Sequence, residues 1–265
     1  MIMRNAGLIS LLLLCACGVA AQNTPPGPIE DNSFLIEEAY NQDPHVIQYI
    51  STFTRLRNGN WGYNFTNEYA VKSRRHQFSY SVNVNRVGDS TAVGDTLLNY
   101  RYQLVGMKEE DRLAISPRFS LILPTGSWRR GTGAGAVGYQ FNLPLSYKLT
   151  KKIVTHWNAG TTFTPHSRDA LGDRANTTAY NLGQSTIYLL SNRFNLMLEN
   201  YWAHGRNVVA PHATTPSEIF LISPGVRWAY NYKSGLQIVP GVAVPLGIGA
   251  SHGEREILLY LSFEK

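Results

Sequence analysis

Seven histidines offer the side chains best suited to moving protons at neutral pH: His45, His76, His156, His166, His204, His212 and His252. A hydrolase built on a strand could set a serine two residues from a histidine, facing the same side, with an asparagine orienting the imidazole. No histidine here has a serine at that spacing; His166 and Ser167 are adjacent, so on a strand they would face opposite sides. His156 and Asn158 do share a face, and the pair is read as part of a wall. No catalytic residue is assigned, and the chain is read as a non-enzyme. His166, Asp169 and Asp173 could serve a divalent ion, but their spacing matches no metal motif, so neither metal nor cofactor is expected. The run Gly131–Gly138 lacks the Lys-Ser/Thr and the following helix of a phosphate loop, and reads as a flexible outer loop.

Charged residues on the polar faces of alternating segments are the second set able to do chemistry. Arg101, Arg118, Lys148 and Arg227 are basic; Glu68 and Glu199 are acidic. Arg101 and Arg118 flank a short connection at Met107–Asp111 and should be near neighbours, and two adjacent guanidinium groups need an acidic partner or a bound anion. Glu68 and Glu199 could be that partner, or the arginines could be solvated wall charges. A further source of acids is residues 22–54, which hold Glu30, Asp31, Glu37, Glu38 and Asp43 and no Lys or Arg. Pro25, Pro26 and Pro28 open this stretch as an extended tether, and Phe34–Tyr40 could form a short helix ending by Asp43-Pro44. Two readings stay open: a plain periplasmic tail, or a plug in the periplasmic mouth with its carboxylates facing Arg101, Arg118 and Arg227.

The elements that would position these residues are strands. In Trp61-Gly-Tyr63-Asn-Phe65-Thr-Asn67-Glu-Tyr69 one parity is aromatic and the other small or polar, and Leu98–Leu104 and Phe141–Leu149 follow the same rule. A period of two, with aromatics out and Asn, Ser, Arg or Gln in, is the signature of a transmembrane β-strand. Twelve such segments follow, at about 46–56, 61–71, 76–86, 96–106, 112–123, 138–149, 153–164, 180–190, 194–203, 218–230, 235–246 and 256–264. The expected fold is therefore an all-β, twelve-stranded antiparallel transmembrane barrel. Connections after even strands are short, as at Lys72–Arg75 and Ser191–Arg193; those after odd strands include the longer Pro165–Ala179 and His204–Ser217. Short periplasmic turns and long extracellular loops put both termini in the periplasm. Trp61, Tyr139, Phe163, Tyr180, Trp202 and Phe220 should form one interfacial girdle, and Tyr69, Phe78, Tyr147, Phe194, Trp228 and Tyr230 the other. The eighth strand is ambiguous. Tyr180 and Leu182 share one parity and Ile187 and Leu189 the other, so either a β-bulge near Gly183–Gln184 or a different register is needed.

The ends agree with export. Arg4 precedes an apolar run, residues 8–21, closing on Val19-Ala-Ala21, which reads as a signal peptide cleaved after Ala21, with lipoprotein processing at Cys17 as the alternative. The domains are then 1–21 signal peptide, 22–45 acidic periplasmic or plug segment and 46–265 barrel. Both cysteines, Cys15 and Cys17, would be removed with the signal, which excludes disulfides and a thiol nucleophile. Loss of Arg4 takes the basic count from 24 to 23 against 18 acids, a net charge of +5 scattered over turns and loops, which argues against nucleic acid. Ile257–Phe263 alternates to an aromatic near the C-terminus, as the barrel-assembly machinery would read. Expected partners are therefore that machinery, outer-membrane lipid and lipopolysaccharide, and a small-molecule solute.

Four stretches, Asp31–Asp43, Gly94–Leu104, Pro117–Gly126 and Leu258–Glu264, resemble the family of outer-membrane transporters named for the MetA pathway of phenol degradation. The resemblance runs from about Pro28 to the C-terminus and departs where the chain stops at Glu264-Lys265. It implies an outer-membrane barrel of Gram-negative bacteria that moves small, including aromatic, molecules. The residues themselves point to a passive channel: a polar, slightly basic wall with nothing greasy on the inward parity, suited to polar or anionic solutes. A non-transporting scaffold or surface-binding barrel is the alternative, and an outer-membrane hydrolase lacks its constellation.

Overall fold

The computed structural model describes residue 29, residues 32–108 and residues 110–265. The expected signal peptide, the lipoprotein alternative, both cysteines, Glu30 and Asp31 lie outside the described residues. Twelve antiparallel strands close into one barrel. The first three are Ile47–Leu56, Trp61–Ala70 and His76–Val87. The fourth comprises Ser90–Val93 and Thr96–Tyr102, and the fifth Leu113–Ile115 and Arg118–Leu123. Gly138–Lys148, Ile153–Arg168, Arg174–Ser191, Phe194–Ala210 and Ala213–Trp228 follow. The eleventh comprises Gln237–Ala243 and Leu246–Gly247, and the twelfth, Glu256–Glu264, pairs back onto the first from Gln48↔Glu264 to Leu56↔Glu256.

Alternation carries through to the walls. Phe119, Phe141, Leu143, Trp157, Leu182, Leu198 and Leu259 all stand exposed on the outer face. A soluble monomer does not leave an apolar belt of this extent open to water; in a bilayer it faces lipid. The girdles are level, because the expected members pair across strands: Tyr139↔Phe163 and Trp202↔Phe220 toward one end, Tyr69↔Phe78 and Phe194↔Trp228 toward the other.

Three expectations need correction. The stretches Pro165–Ala179 and His204–Ser217 are not loops. Strands seven to ten run on for 16, 18, 17 and 16 residues, pairing up to Arg174↔Arg168 and Val208↔Thr214, and turn tightly at Asp169–Asp173 and Pro211-His212. A strand needs about 9–11 residues to cross, so this third of the wall runs on roughly six residues, about 20 Å along the tilted strands, beyond the rest. Their upper ends are polar because they leave the bilayer, which is why they resembled loops. Second, the glycine-rich stretch after the fifth strand is tied down: Asp95 accepts the Gly126 N–H through Oδ1 at 2.9 Å and the Ala134 N–H through Oδ2 at 2.8 Å. Third, no register shift falls at Gly183–Gln184; the irregularities are at Ala175/Thr177 and Leu189/Ser191. Tyr180, Leu182, Gln184 and Thr186 face out and Gly183, Ser185, Ile187 and Leu189 face in, in one phase throughout.

Leu143 lies midway along its strand, so Leu143→Arg should cost about 2–4 kcal/mol of barrel stability. Thr162→Arg, which points into the lumen, should cost far less. Urea titration of the two variants refolded in vesicles checks the contrast, and equal losses would contradict the assigned faces.

Candidate functional site

Residues 32–46 lie inside the barrel, at its short-turn end. The chain enters near strands eight to ten and passes along the inner wall past strands seven, six, four and three. At Pro44 it bridges to Ala70. A turn with His45 at φ 71° then delivers it into the first strand, where the Ile47 N–H bonds the Lys265 carbonyl at 2.9 Å.

This segment is not helical. A main chain that makes no helical bonds inside a barrel must find partners for its polar groups elsewhere. Here the wall's side chains supply them. N–H groups of Leu35, Glu37, Ala39 and Asn41 donate to Glu199 Oε1 (3.0 Å), Asn158 Oδ1 (2.9 Å), Ser146 Oγ (2.7 Å) and Gln103 Oε1 (2.7 Å). Gln42 N–H donates to Gln77 Oε1 at 2.7 Å. Carbonyls are met as well: Glu37 O accepts from Asn158 Nδ2 (2.9 Å), and Ala39 O from Gln103 Nε2 (2.8 Å) and Ser116 Oγ (2.7 Å). The wall thus provides the ladder that a neighbouring strand would otherwise give.

Of the residues expected to line the lumen, Glu68, Arg101, His156, Asn158, Glu199 and Arg227 are buried, and the partners of the charged ones match the expected set only in part. Glu37 and Arg118 form a bidentate pair, Nε to Oε2 at 2.9 Å and Nη2 to Oε1 at 2.7 Å. Arg101, buried, instead donates to Asn41 Oδ1 (2.7 Å) and to the carbonyls of Glu38 (2.9 Å) and Tyr40 (3.0 Å), with Glu68 at 3.9 Å. Arg227 Nη1 reaches the Asn32 carbonyl at 2.7 Å. Asp43 pairs with Arg74 on a periplasmic-type turn, not with any wall arginine. The Lys148 ammonium sits over the Tyr40 ring at 4.9 Å. Arg101 and Arg118 are direct cross-strand neighbours, as expected.

His156 bonds through Nδ1 to Ser146 Oγ at 2.7 Å rather than to Asn158. Ser146 comes from the preceding strand, in register with His156, so spacing within one strand could not reveal it. Its hydroxyl also accepts the Ala39 N–H, which covers it. Asp169, offered above to a divalent ion, uses Oδ1 to accept the N–H groups of Leu171, Gly172 and Asp173 and so holds a turn. Among the described residues no cluster of three His, Cys, Asp or Glu is placed to hold a metal.

The inward wall is not uniformly polar, which corrects another expectation. Ile50, Ile187, Met197, Val239, Leu258 and Tyr260 form one buried cluster with Ile29 and Phe34. Phe34 meets Tyr260 edge-on with ring centroids 5.5 Å apart. Three inward glycines make room: a side chain at Gly225 or Gly241 would strike the Phe34 ring, and one at Gly183 would strike Ile36. The apolar inward positions of strand eight are therefore a seat for this segment, and they account for the apparent change of phase in that strand. A cavity of about 240 Å³ opens on the loop side of the segment, bordered by Glu37, Arg118 and the polar side chains Thr52, Asn64, Thr66 and Asn83. A second, of about 150 Å³, lies on the turn side beside Tyr40, Lys148 and His156.

The family model for the MetA-pathway of phenol degradation matches residues 37–244. The comparison with curated proteins returned no match. Among solved structures, the COG4313 outer membrane channel from Pseudomonas putida F1 superposes with a TM-score of 0.62 at 10% identity, over 86% of this chain and 97% of that one. The KdgM porin in complex with disordered oligogalacturonate gives 0.49 at 14% identity, over 82% and 98%. The TodX deltaS2S3 mutant monoaromatic hydrocarbon channel gives 0.47 at 12%, over 93% and 97%. The first of these shows the shared barrel fold.

If the glycine-floored seat holds the segment, Gly183→Val should loosen it without opening the wall. A Glu-specific protease then cuts after Glu37 or Glu38 in the variant and spares the parent protein, as read by mass spectrometry. Equal resistance of both would show that the seat is dispensable.

Proposed function

The chain belongs to the MetA-pathway of phenol degradation family, and on that premise we propose that it is an outer-membrane channel for small molecules, closed by its own residues 32–46. The observation that carries this reading is the match between the segment's main-chain groups and the wall's side chains. Six wall residues on or beside six strands direct polar groups at one stretch of backbone through seven hydrogen bonds, an arrangement with no use in an open pore or in an unoccupied wall. The plug in this reading is the described part of the expected segment 22–45, and short turns, both termini and the plug face the periplasm.

Closure rests on bonds of neutral amide and hydroxyl side chains to backbone, each worth about 0.5–1.5 kcal/mol, together with the carbonyl contacts of Arg101 and Arg227, the Glu199 and Glu37–Arg118 contacts and the Phe34 seat. Such a set can be released as a unit and rebuilt. Cargo would be small and polar or anionic: the loop-side cavity is bordered by hydroxyls and amides, by Arg118 with Glu37 and Glu68, and by an apolar side that includes Phe34, Ile50 and Tyr260, so the arginine is its attachment point for an anion. An aromatic solute becomes admissible once Phe34 leaves, since the inward apolar patch is then uncovered. Twelve strands set the scale: wider than eight-stranded barrels filled by side chains, narrower than open porins of 16–18 strands. The expected signal peptide, the barrel-assembly machinery and lipopolysaccharide belong to the same reading.

Deletion of residues 23–44 is expected to raise single-channel conductance in planar bilayers well above that of the parent protein. No rise would remove the plug. Zero conductance with and without the segment would favour a sealed scaffold or surface-binding barrel.

A further inference from the structure

Arg118 differs from the other inward arginines in what it touches. Arg101 and Arg227 are buried against carbonyls of the inner segment. Arg118 borders the loop-side cavity together with Glu37, so a solute arriving from the loop side meets this ion pair directly. The Glu37 side chain keeps 31% of its surface open and that of Arg118 11%.

All five N–H donors of Arg118 are engaged. Nε and one Nη2 hydrogen grip the two Glu37 oxygens. The remaining Nη2 hydrogen goes to Gln140 Oε1 at 2.9 Å, and Nη1 donates to Asn99 Oδ1 at 2.9 Å and to Ser120 Oγ. Those three acceptors sit on the wall itself, on Arg118's own strand and its two neighbours. They fix the plane of the guanidinium whether or not Glu37 is present. What Glu37 occupies is therefore a pre-aimed fork, and a fork of two parallel N–H groups matches a planar, two-oxygen anion.

Glu37 is also held in a way that lets its side chain leave alone. Its backbone N–H and carbonyl are clasped by the Asn158 amide at 2.9 Å each, independently of the carboxylate. From this geometry we infer that Arg118, with Asn99, Ser120 and Gln140 behind it, is a binding site for carboxylate-bearing solutes, and that the Glu37 carboxylate is its built-in occupant. The inference rests on the channel reading for its physiological meaning, but not for the binding itself. An incoming carboxylate exchanges with Glu37 at the fork; no bond other than hydrogen bonds forms or breaks. Loss of Glu37 from Arg118 also frees a charge-to-charge tie between the segment and the wall strands facing this cavity, so cargo recognition and segment release share one residue.

Benzoate and benzamide, which are alike in shape and differ in charge, serve as probes. Calorimetry on the refolded full-length protein should show benzoate binding to Glu37→Ala at least ten-fold tighter than to the parent, because the internal competitor is gone. Benzamide should bind neither. In the Glu37→Ala background, Arg118→Met should abolish benzoate binding. Arg118→Lys, which keeps the charge but loses the fork, should weaken it several-fold, and it covers the case in which the methionine variant does not fold. Equal benzoate affinity for parent and Glu37→Ala, benzamide binding as well as benzoate, or binding that survives both Arg118 substitutions would each overturn the site. The deletion of residues 23–44 separates the two readings. A conducting deletion variant without Arg118-dependent benzoate binding leaves the channel and removes the site. Arg118-dependent binding with a deletion variant that never conducts leaves the site and removes the channel.

Discussion

A length of backbone inside a barrel has no neighbouring strand to bond with, and the whole interior is organised around that need. Buried N–H and C=O groups left unpaired cost about 1–3 kcal/mol each, so a chain in the lumen is tolerated only if the wall answers it group by group. Gln103 does this with both ends of its amide, accepting from Asn41 and donating to Ala39. Asn158 does the same for Glu37. The remaining structure follows: inward parity must be polar where it meets backbone, small where it meets Phe34 and Ile36, and apolar around their side chains.

This interior explains why the barrel was legible in the sequence and its contents were not. Strand number and facing come from a repeat of two that lipid imposes on every outward position, so Trp157 and Leu198 announce themselves. The twelve segments also closed in the expected order. Inward positions obey no such repeat, since each is matched to a particular group of the inner segment. Ile187 and Leu189 looked like a slipped register because they answer Ile29 and Phe34 rather than water. Ser146 and Gln77 looked like ordinary wall polarity. A signal was present in the inward glycines: Gly183, Gly225 and Gly241 fall at inward parity on strands eight, ten and eleven, where a glycine without a bulge means that something approaches closely.

The acidic segment shows the same division. Its charge balance pointed to the arginines, and Glu37 reached one of them. Yet Arg101 and Arg227 are satisfied by carbonyls, and Asp43 by a turn arginine, because an extended chain offers a row of carbonyl dipoles at closer range than its own side chains. Composition records charges; it does not record the main chain, which carries most of the contact here. The height of strands seven to ten was hidden for a related reason, since polar residues on a strand above the bilayer read as loop.

The left-handed turn at His45 has a consequence for how the interior behaves. It joins the segment to the first strand with no intervening linker, so the occupant of the lumen is covalently leashed to the wall it fills. A short leash gives an effective concentration in the millimolar range. A free molecule competing for any one of these contacts is therefore measured against a resident that cannot diffuse away and returns as soon as the competitor leaves. In the proposed channel, opening would therefore be graded with the solute level and reversible, which would make the segment a tethered competitor rather than a one-time stopper.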